Sequence, residues 1–359
     1  MGQFNNKFLQ THEGRKMYEE YTRKRILSIF LLTLLVFLLM IVSLMVGSYS
    51  LSPGEVVLAL IGKGREEAIF TIWNIRLPRI VAAVFVGASL AVSGAVLQGI
   101  LRNPLASPFT MGVSHGAMFG ASLAIALGAG YSESTGRVAI INPYAVVIAA
   151  FLGAIVSTLV IVLLAKIRGL SPQAMVLAGI AMSSLFTALT TLIQYFANEI
   201  QLAAMVYWSF GDLGRPYWKE NIILIATFFP IFMYFLLKRW DLNASSVGDE
   251  IAMSVGVEIE KVRLLSAFLS ALLTAVTVAF VGIIGFVGLI TPHIVRLIFG
   301  GDYRYLIPLS TLLGSIVLLS ADTLARIIIS PSILPVGVVT SFLGAPLFLY
   351  LLLKMEGGR

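Results

Sequence analysis

Few side chains within the apolar runs of this 359-residue sequence are ionisable and could take part in proton or ion transfer. Asp322 and Arg326 are the clearest pair, because residues four apart lie on the same helical face and opposite charges at that spacing attract. We interpret this pair as a structural salt bridge rather than an ion relay. His293 follows Thr291-Pro292, and a lone histidine beside a proline more often bonds to the backbone than to a metal.

The chain also lacks the groups that would power a reaction. No G-x-x-x-x-G-K-[ST] segment occurs, so it has no loop to hold nucleotide phosphates in the P-loop manner. Zero cysteines exclude disulfides and thiolate metal sites. Ion-coupled carriers usually keep ionisable groups within their spans for relay, and the apolar runs here hold almost none. We therefore expect no enzymatic activity, no cofactor and no metal site, and an energy source on a separate subunit.

Composition indicates what holds these residues in place. Hydrophobic residues make up 58% of the chain and charged residues 12%, against about a quarter charged in soluble domains. Backbone groups in lipid must be paired within the chain, and the runs show no alternation typical of a barrel, so helices are favoured. We predict an all-α membrane protein with about ten transmembrane helices, near residues 26–47, 80–100, 108–128, 143–165, 173–197, 220–238, 262–282, 284–299, 306–328 and 336–353.

The first of these runs, residues 26–47, could instead be a cleaved signal sequence. Its length and the lack of a small-x-small cleavage site favour a membrane span. Glycines within the other runs, such as Gly87 and Gly94, predict close helix packing. Glycine beside the prolines of Asn103-Pro104 and Thr291-Pro292 makes broken helices possible.

Basic residues are distributed unevenly between the two sides of the predicted spans. If the N-terminus is cytoplasmic, the external side holds only Lys63, Arg65, Arg76, Arg79, Arg137, Arg215, Lys219 and Arg326 of the 25 Lys and Arg. The positive-inside rule therefore predicts cytoplasmic N- and C-termini in a cell membrane. Residues 1–25 would be a mobile or interfacial cytoplasmic tail, and 26–359 the membrane domain. The net charge of +7 follows from this bias, since no basic cluster with interleaved aromatics indicates nucleic acid.

Four long stretches carry a family resemblance. They are Arg76–Ala117, beginning RLPRIVAAVFVGASLAVSGAVLQGILRNPLASP, Gly248–Arg263, GDEIAMSVGVEIEKVR, then Gly282–Ile329 and Leu334–Lys354. In order and spacing they resemble the permease family of ATP-binding-cassette (ABC) importers for ferric siderophores, haem and cobalamin. One departure is Ile333, where the family usually has an acidic residue before the Pro-Val-Gly step.

The resemblance implies a subunit of ten helices in two inverted five-helix halves. It would pair with a second copy, as a homodimer, or with a close paralogue. Two ATP-binding cassette subunits would lie in the cytoplasm, and an extracytoplasmic substrate-binding protein would deliver a metal chelate for import. An ion-coupled secondary transporter and a membrane scaffold without transport activity remain the alternatives.

The resemblance also implies roles for particular residues at the cytoplasmic face. Gly248, Asp249, Glu250, Ala252 and Gly256, within a loop spanning about 241–263, would form paired short coupling helices for the ATPase; the alternative is a solvated loop. We expect Gly256 to let the helices meet and the two acids to cap a helix N-terminus. Leu170, Ser171 and Pro172 resemble a cytoplasmic gate, although an N-cap followed by proline would explain them equally. His115 is a candidate for a position facing the transport pathway.

On the external side, Arg76, Arg79 and Arg326 match the arginines that receive acidic residues of the binding protein in the cobalamin importer. Guanidinium groups pair bidentately with carboxylates, so a docking role makes physical sense; the alternative is anchoring to lipid headgroups. We interpret the nearby aromatic residues Tyr207, Trp208, Tyr217 and Trp218 as an interfacial belt.

Overall fold

A computed structural model describes residues 12–47, 49–129 and 142–356. Within these ranges the chain forms helices joined by turns and loops, with one isolated β-bridge between Phe210 and Ile283. The predicted all-α class is confirmed. The inverted five-helix repeat stays a prediction.

The helices follow one another along the chain with short connections. They are α1 (His12–Met45), α2 (Pro53–Leu60), α3 (Glu66–Phe70), α4 (Leu77–Ile100), α5 (Val113–Ala124), α6 (Pro143–Lys166), α7 (Pro172–Phe196), α8 (Glu199–Ser209), α9 (Trp218–Leu237), α10 (Arg239–Val247), α11 (Asp249–Ser254), α12 (Ile259–Val281), α13 (Val287–Phe299), α14 (Tyr303–Ala325) and α15 (Val336–Glu356). Two π-helical segments, Thr71–Arg76 and Ile125–Ala129, precede α4 and follow α5.

Seven helical segments within the described ranges are long and apolar enough to cross a membrane. They are Arg15–Met45, Glu66–Ile100, Pro143–Lys166, Pro172–Phe196, Trp218–Leu237, Ile259–Val281 and Tyr303–Ala325. Three shorter apolar helices lie at Val113–Ala129, Val287–Phe299 and Val336–Tyr350. Each of the ten predicted spans therefore coincides with an apolar helix, and the largest differences are at the helix starts.

Helix α1 begins well before the predicted span. The expected mobile tail is helical from His12 onward, while residues 1–11 lie outside the described part of the chain. Glutamate, lysine and arginine are good helix formers, and Arg25 adds a tertiary contact by donating from Nε to the carbonyl of Phe299 at 3.0 Å. Its guanidinium carbon also lies 3.0 Å from the centre of the Tyr21 ring.

Helix α2 was missed, although the sequence holds a signal for it. Ser52 and Glu55 form a capping box, in which each side chain accepts from the backbone N–H of the other residue. This S-x-x-E spacing is a sequence signature of a helix start. The helix is short and lies outside the long apolar runs, so hydropathy alone does not detect it.

The expected helix breaks are partly confirmed. The chain leaves the helix after Ile100 and continues in turns through Asn103-Pro104 to Gly112. At the second position no break occurs, because Pro292 lies inside α13. The interruption falls earlier, between α12 and α13, where Gly282 adopts a φ of 79°.

Helix α4 is the centre of the bundle and is buried along almost all of its length. Helices in lipid are held together by close packing, which small residues permit. A β-carbon on Gly94 would lie 1.6 Å from the carbonyl oxygen of Gly288 in α13, and one on Gly87 would lie 2.3 Å from that of Gly314 in α14. The backbones of α4, α13 and α14 thus touch at positions where only glycine fits.

We predict that Gly94→Ala destabilises the protein, because the added methyl group forces α4 away from α13. Overpacking typically costs about 1–3 kcal/mol, occasionally more, so the unfolding midpoint in detergent should fall by several degrees. Gly54→Ala is the matched control, since Gly54 is exposed and a β-carbon there meets nothing within 4 Å. Equal midpoints for the two variants would contradict this account of the packing.

Candidate functional site

One end of the bundle, which we call the Arg79 end, holds a buried network of ion pairs. Arg79 Nε lies 2.8 Å from Asp322 Oδ1, and its Nη1 lies 3.2 Å from Asp212 Oδ1. Arg326 Nε lies 3.2 Å from Asp322 Oδ2. The side chain of Asp322 is fully buried. The predicted Asp322–Arg326 pair is therefore confirmed, with Arg79 as a second partner for the carboxylate.

At the same end, arginines donate to the last carbonyls of α1 and to carbonyls of the residues that follow it. Arg76 donates to the carbonyls of Leu44 and Tyr49. Arg326 Nη1 donates to the carbonyls of Ser43 at 3.2 Å and Val46 at 3.0 Å. The last carbonyls of a helix have no intrahelical partners and favour nearby positive charge. These contacts hold the end of α1 against α4 and α14.

The structure brings the three predicted docking arginines together, but their side chains are buried and not exposed. Arg76, Arg79 and Arg326 are 4%, 7% and 6% exposed in the single chain. Their guanidinium groups face carbonyls and carboxylates of the chain itself, so they do not form the open basic patch that the motif suggested. Their docking role stays a prediction.

The aromatic residues of the Arg79 end are only partly a surface belt. Tyr207 and Tyr217 are exposed, as expected, whereas Trp208 is buried in the core. Trp218 donates from Nε1 to the carbonyl of Trp73 at 2.9 Å. The belt interpretation is thus wrong for Trp208, because α8 packs that side chain inward. Tyr207, Trp208 and Tyr217 line a cavity of about 570 Å³, together with Tyr144, Arg215 and Glu220.

At the opposite end, which we call the Asp249 end, the predicted coupling segment forms two short helices, α10 and α11. Gly248 separates them, and Gly256 ends α11 with a φ of 85°. The expectation that the helices meet at Gly256 is therefore wrong. A left-handed residue after a helix lets the next N–H groups reach the last carbonyls, as Val257 does here by donating to Ala252 at 3.0 Å.

The expectation that the Asp249 side chain caps a helix is wrong, because no side chain caps the start of α11. Asp249 Oδ1 accepts from Arg102 Nη2 at 2.8 Å and from Arg263 Nη2 at 2.7 Å. Glu250 is exposed in the first turn of α11, where a negative charge favours the helix N-terminus. Ala252 is fully buried, so it fixes the face of α11 that packs on the bundle.

Several apolar side chains of the coupling segment are exposed. Val247, Ile251, Met253 and Val255 are each more than half exposed. An apolar patch of this kind on a segment outside the long spans is a feature of protein interaction sites.

Helix α10 is anchored separately from α11. Asn243 donates from Nδ2 to Asp302 Oδ1 at 3.0 Å, and its Oδ1 accepts from the Tyr303 backbone N–H at 2.9 Å. Burial acts to raise the pKa of Asp302, but hydrogen bonds from Arg304 and Asn243 outweigh it and hold that pKa below its ordinary value. The ionised carboxylate thus ties α10 to the start of α14.

The predicted gate residues lie in the turn between α6 and α7. Leu170 has a φ of 52° and is buried. Ser171 Oγ accepts from the Ala174 backbone N–H at 3.3 Å, and Pro172 is the first residue of α7. The N-cap interpretation is confirmed, while the gate role stays a prediction.

The two histidines of interest lie apart from one another. His115 is half-buried on α5, and His293 is buried on α13. Among the described residues, no cluster of three or more His, Cys, Asp or Glu side chains is arranged to hold a metal ion. The pathway role of His115 stays a prediction.

Arg263 is a further residue of the Asp249 end, and the sequence motifs did not indicate a role for it. Its side chain is only 2% exposed, and it donates to Asp249, to the carbonyl of Leu170 and to the carbonyl of Ile100. The signal was present in the pattern of α12, because Arg263 shares the buried face with Ile259, Val262 and Ser266. A charged residue at an apolar helical position indicates a buried polar contact.

These features define a multi-pass membrane protein that has, at one end, a pair of short helices with exposed apolar side chains, and whose sequence contains no P-loop. The FecCD transport family matches residues 34–354. An ABC transporter permease protein of Methanocaldococcus jannaschii is 61% identical over 339 residues, which cover 94% of this chain and 97% of the relative. The chain belongs to the FecCD family and is an ABC transporter permease subunit rather than an enzyme.

Relatives with named cargo are also similar over nearly their whole length. The hemin transport system permease protein of Yersinia pestis is 37% identical over 331 residues, covering 92% of this chain and 96% of the relative. The vitamin B12 import system permease protein of Klebsiella pneumoniae is 37% identical over 329 residues, covering 92% of this chain and 94% of the relative. A solved chain described as an inward-facing metal-chelate type ABC transporter aligns with a TM-score of 0.79 and 34% identity. The alignment covers 91% of this chain and 98% of the solved chain.

We predict that Asp322→Asn strongly destabilises the protein, because two buried arginines lose their shared carboxylate. Removing one partner of a buried ion pair costs about 3–5 kcal/mol. The control is Arg65→Gln, which removes an exposed pair with Glu55 at 3.8 Å and should cost about 0–1 kcal/mol. Thermal unfolding in detergent compares the two variants, and a similar small effect of both would show that the buried network does not stabilise the fold.

Proposed function

We propose that this chain is the membrane-spanning subunit of an importer that brings a metal chelate, such as a ferric siderophore, haem or a corrinoid, into the cytoplasm. The observation that carries the proposal is the coupling segment, a pair of short helices that buries Leu242 and Ala252 and exposes the apolar side chains of Ile251, Met253 and Val255. The family membership and the named cargo of the relatives support the substrate class.

The proposed orientation puts the Asp249 end in the cytoplasm, together with both termini. Basic residues concentrate at this end, as the positive-inside rule requires of cytoplasmic loops: Arg25, Arg102, Lys166, Arg168, Lys238, Arg239 and Lys261 all lie there. The Arg79 end then faces outward, where a substrate-binding protein would deliver cargo. Two copies of the chain, or the chain and a close paralogue, would enclose the pathway, with the turn of Leu170, Ser171 and Pro172 as its cytoplasmic gate.

The proposed energy source is a pair of separate ATPase subunits docked on α10 and α11. The exposed apolar side chains of Ile251, Met253 and Val255 would enter a groove on the ATPase, since burying apolar surface favours association. The experiment that tests the function is reconstitution of the chain with its ATPase subunits and binding protein in lipid nanodiscs. ATP hydrolysis stimulated by the binding protein supports the proposal, whereas uptake driven by an ion gradient without ATP supports a secondary transporter.

We predict that Glu250→Lys lowers the amount of ATPase that co-purifies with the permease, because it reverses a charge beside the apolar docking face. The control is Glu258→Lys, which reverses an exposed glutamate in the same loop. Gly256→Leu should act in the same direction as Glu250→Lys, since Gly256 has a left-handed backbone that costs other residues roughly 1–2 kcal/mol. Undiminished co-purification in Glu250→Lys and Gly256→Leu would show that the ATPase docks elsewhere.

The proposed docking of the binding protein on Arg76, Arg79 and Arg326 needs a test that separates docking from folding. Replacing all three by lysine keeps the charges but removes the planar forks that bind carbonyls, whereas replacing all three by glutamine removes both. We expect both triple variants to unfold at a lower temperature. Only the glutamine variant should bind the binding protein more weakly, by roughly tenfold if each of the three pairs contributes about 0.5 kcal/mol.

Measurements at low and high salt complete this test, because salt screens the attraction between charges on two separate proteins. The loss of affinity in the glutamine variant should be largest at low salt. A folded glutamine variant that binds with the parent's affinity at low salt would exclude the docking role.

A further inference from the structure

Arg263 joins three separate parts of the Asp249 end. Its Nη2 donates to Asp249 Oδ1 at 2.7 Å, its Nη1 to the carbonyl of Leu170 at 3.0 Å and its Nε to the carbonyl of Ile100 at 3.2 Å. Each guanidinium nitrogen therefore has a partner on a different element, namely α11, the turn before α7 and the end of α4. Because the guanidinium group is planar and rigid, these contacts fix the relative positions of all three elements.

The three partners differ in how freely they can move. Ile100 ends α4, the buried central helix, so its carbonyl is a fixed point. Asp249 is one-third exposed and belongs to a six-residue helix at the surface. A displacement of α11 would therefore act directly on a cation that is only 2% exposed. A buried cation cannot easily lose its partner, so the side chain must follow the carboxylate.

The turn that contains Leu170 has a strained backbone, so a second conformation of this turn would relieve strain. Gly169 and Leu170 are consecutive left-handed residues, with φ values of 64° and 52°, and a non-glycine residue pays a steric penalty there. The Leu170 N–H bonds to the carbonyl of Ala165 at 2.9 Å, and its own carbonyl accepts from Arg263. Strained backbone persists where its surroundings hold it, and Arg263 is part of those surroundings.

We propose that Arg263 is the positioning residue that transmits movement of α11 to the turn of Leu170, Ser171 and Pro172. The proposal rests on the proposed docking of an ATPase on α10 and α11. When the ATPase shifts α11, Asp249 carries the guanidinium group with it, and the hydrogen bond to the Leu170 carbonyl moves or breaks. The start of α7 changes position as a result.

Arg102 provides a matched control for this role. It donates to the same oxygen of Asp249, at 2.8 Å, and carries the same charge. Its side chain is 35% exposed, and no hydrogen bond joins it to the 170–172 turn among the described residues. Replacement of either arginine by lysine keeps a positive charge near Asp249. Only replacement of Arg263 removes the fork that reaches the turn.

The experiment uses the absence of native cysteine in this chain. Gln173→Cys introduces a single thiol at an exposed position in the first turn of α7. The complete complex of permease and ATPase in nanodiscs is labelled with fluorescein maleimide, in the resting state and after trapping with ATP and vanadate. The ratio of the two labelling rates reports movement of α7, and ATP hydrolysis is measured in parallel.

We expect the labelling rates of the Gln173→Cys parent to differ by about tenfold between the two states, as for gain or loss of one charge-assisted hydrogen bond. Arg263→Lys should reduce this ratio to near one while ATP hydrolysis continues, so that hydrolysis and gate movement separate. Arg102→Lys should keep the ratio of the parent. Asp249→Asn, at a more exposed position, serves as a second variant that should also lose the ratio if Arg263→Lys fails to assemble.

Three results would overturn the proposal. The first is a full ratio in Arg263→Lys, or in Asp249→Asn where Arg263→Lys does not assemble. The second is an equal loss in Arg102→Lys, which would show that charge near Asp249 matters and the fork does not. The third is an unchanged labelling rate in a parent complex that hydrolyses ATP. A parent chain that binds no ATPase at all would instead contradict the proposed function itself.

Discussion

Carbonyl groups at helix ends, and the arginines that donate to them, hold this bundle together at both ends. A helix leaves its last carbonyls unpaired, and such groups need partners where water is scarce. Arg76 and Arg326 bind the end of α1, Arg25 binds the end of α13, and Arg263 binds the end of α4. Arg215 donates in the same way to Trp208 and Tyr207 at the end of α8. The cationic side chain suits the negative end of the helix dipole.

This use of arginine changes how basic residues near membrane ends are interpreted. By sequence, Arg76, Arg79 and Arg326 were candidates for docking a partner protein or for anchoring to lipid headgroups. In the structure several of them make hydrogen bonds within the chain, and the buried Arg79, Arg326 and Arg263 are paired with the carboxylates of Asp322 and Asp249. A substitution at such a position acts on the fold and on any interface together, and charge-preserving replacements are needed to separate the two effects.

The middle of the bundle is held together by direct backbone contact and not by arginine side chains. There α4 meets α13 and α14 through Gly94 and Gly87, where the backbones themselves are in contact. Contact of this kind leaves no room for adjustment, since interiors are close-packed. The rigid centre therefore contrasts with the Asp249 end, where a strained turn and a short surface helix share one buried cation. Movement in response to a partner would be concentrated at that end.

The sequence by itself determined the class of protein and the approximate positions of the ten long apolar runs that form helices, although not the short helix α2, because the bilayer demands long apolar runs with internally paired backbones. The family motifs also predicted the coupling segment, which forms two short helices in the structure. Tertiary structure decided which charged residues are buried, that Gly248 rather than Gly256 lies between the short helices, and that Arg263 contacts Leu170 across 93 positions of the chain. The physical reason is range: hydropathy and capping act within one helix, whereas a hydrogen bond between helices depends on how they pack.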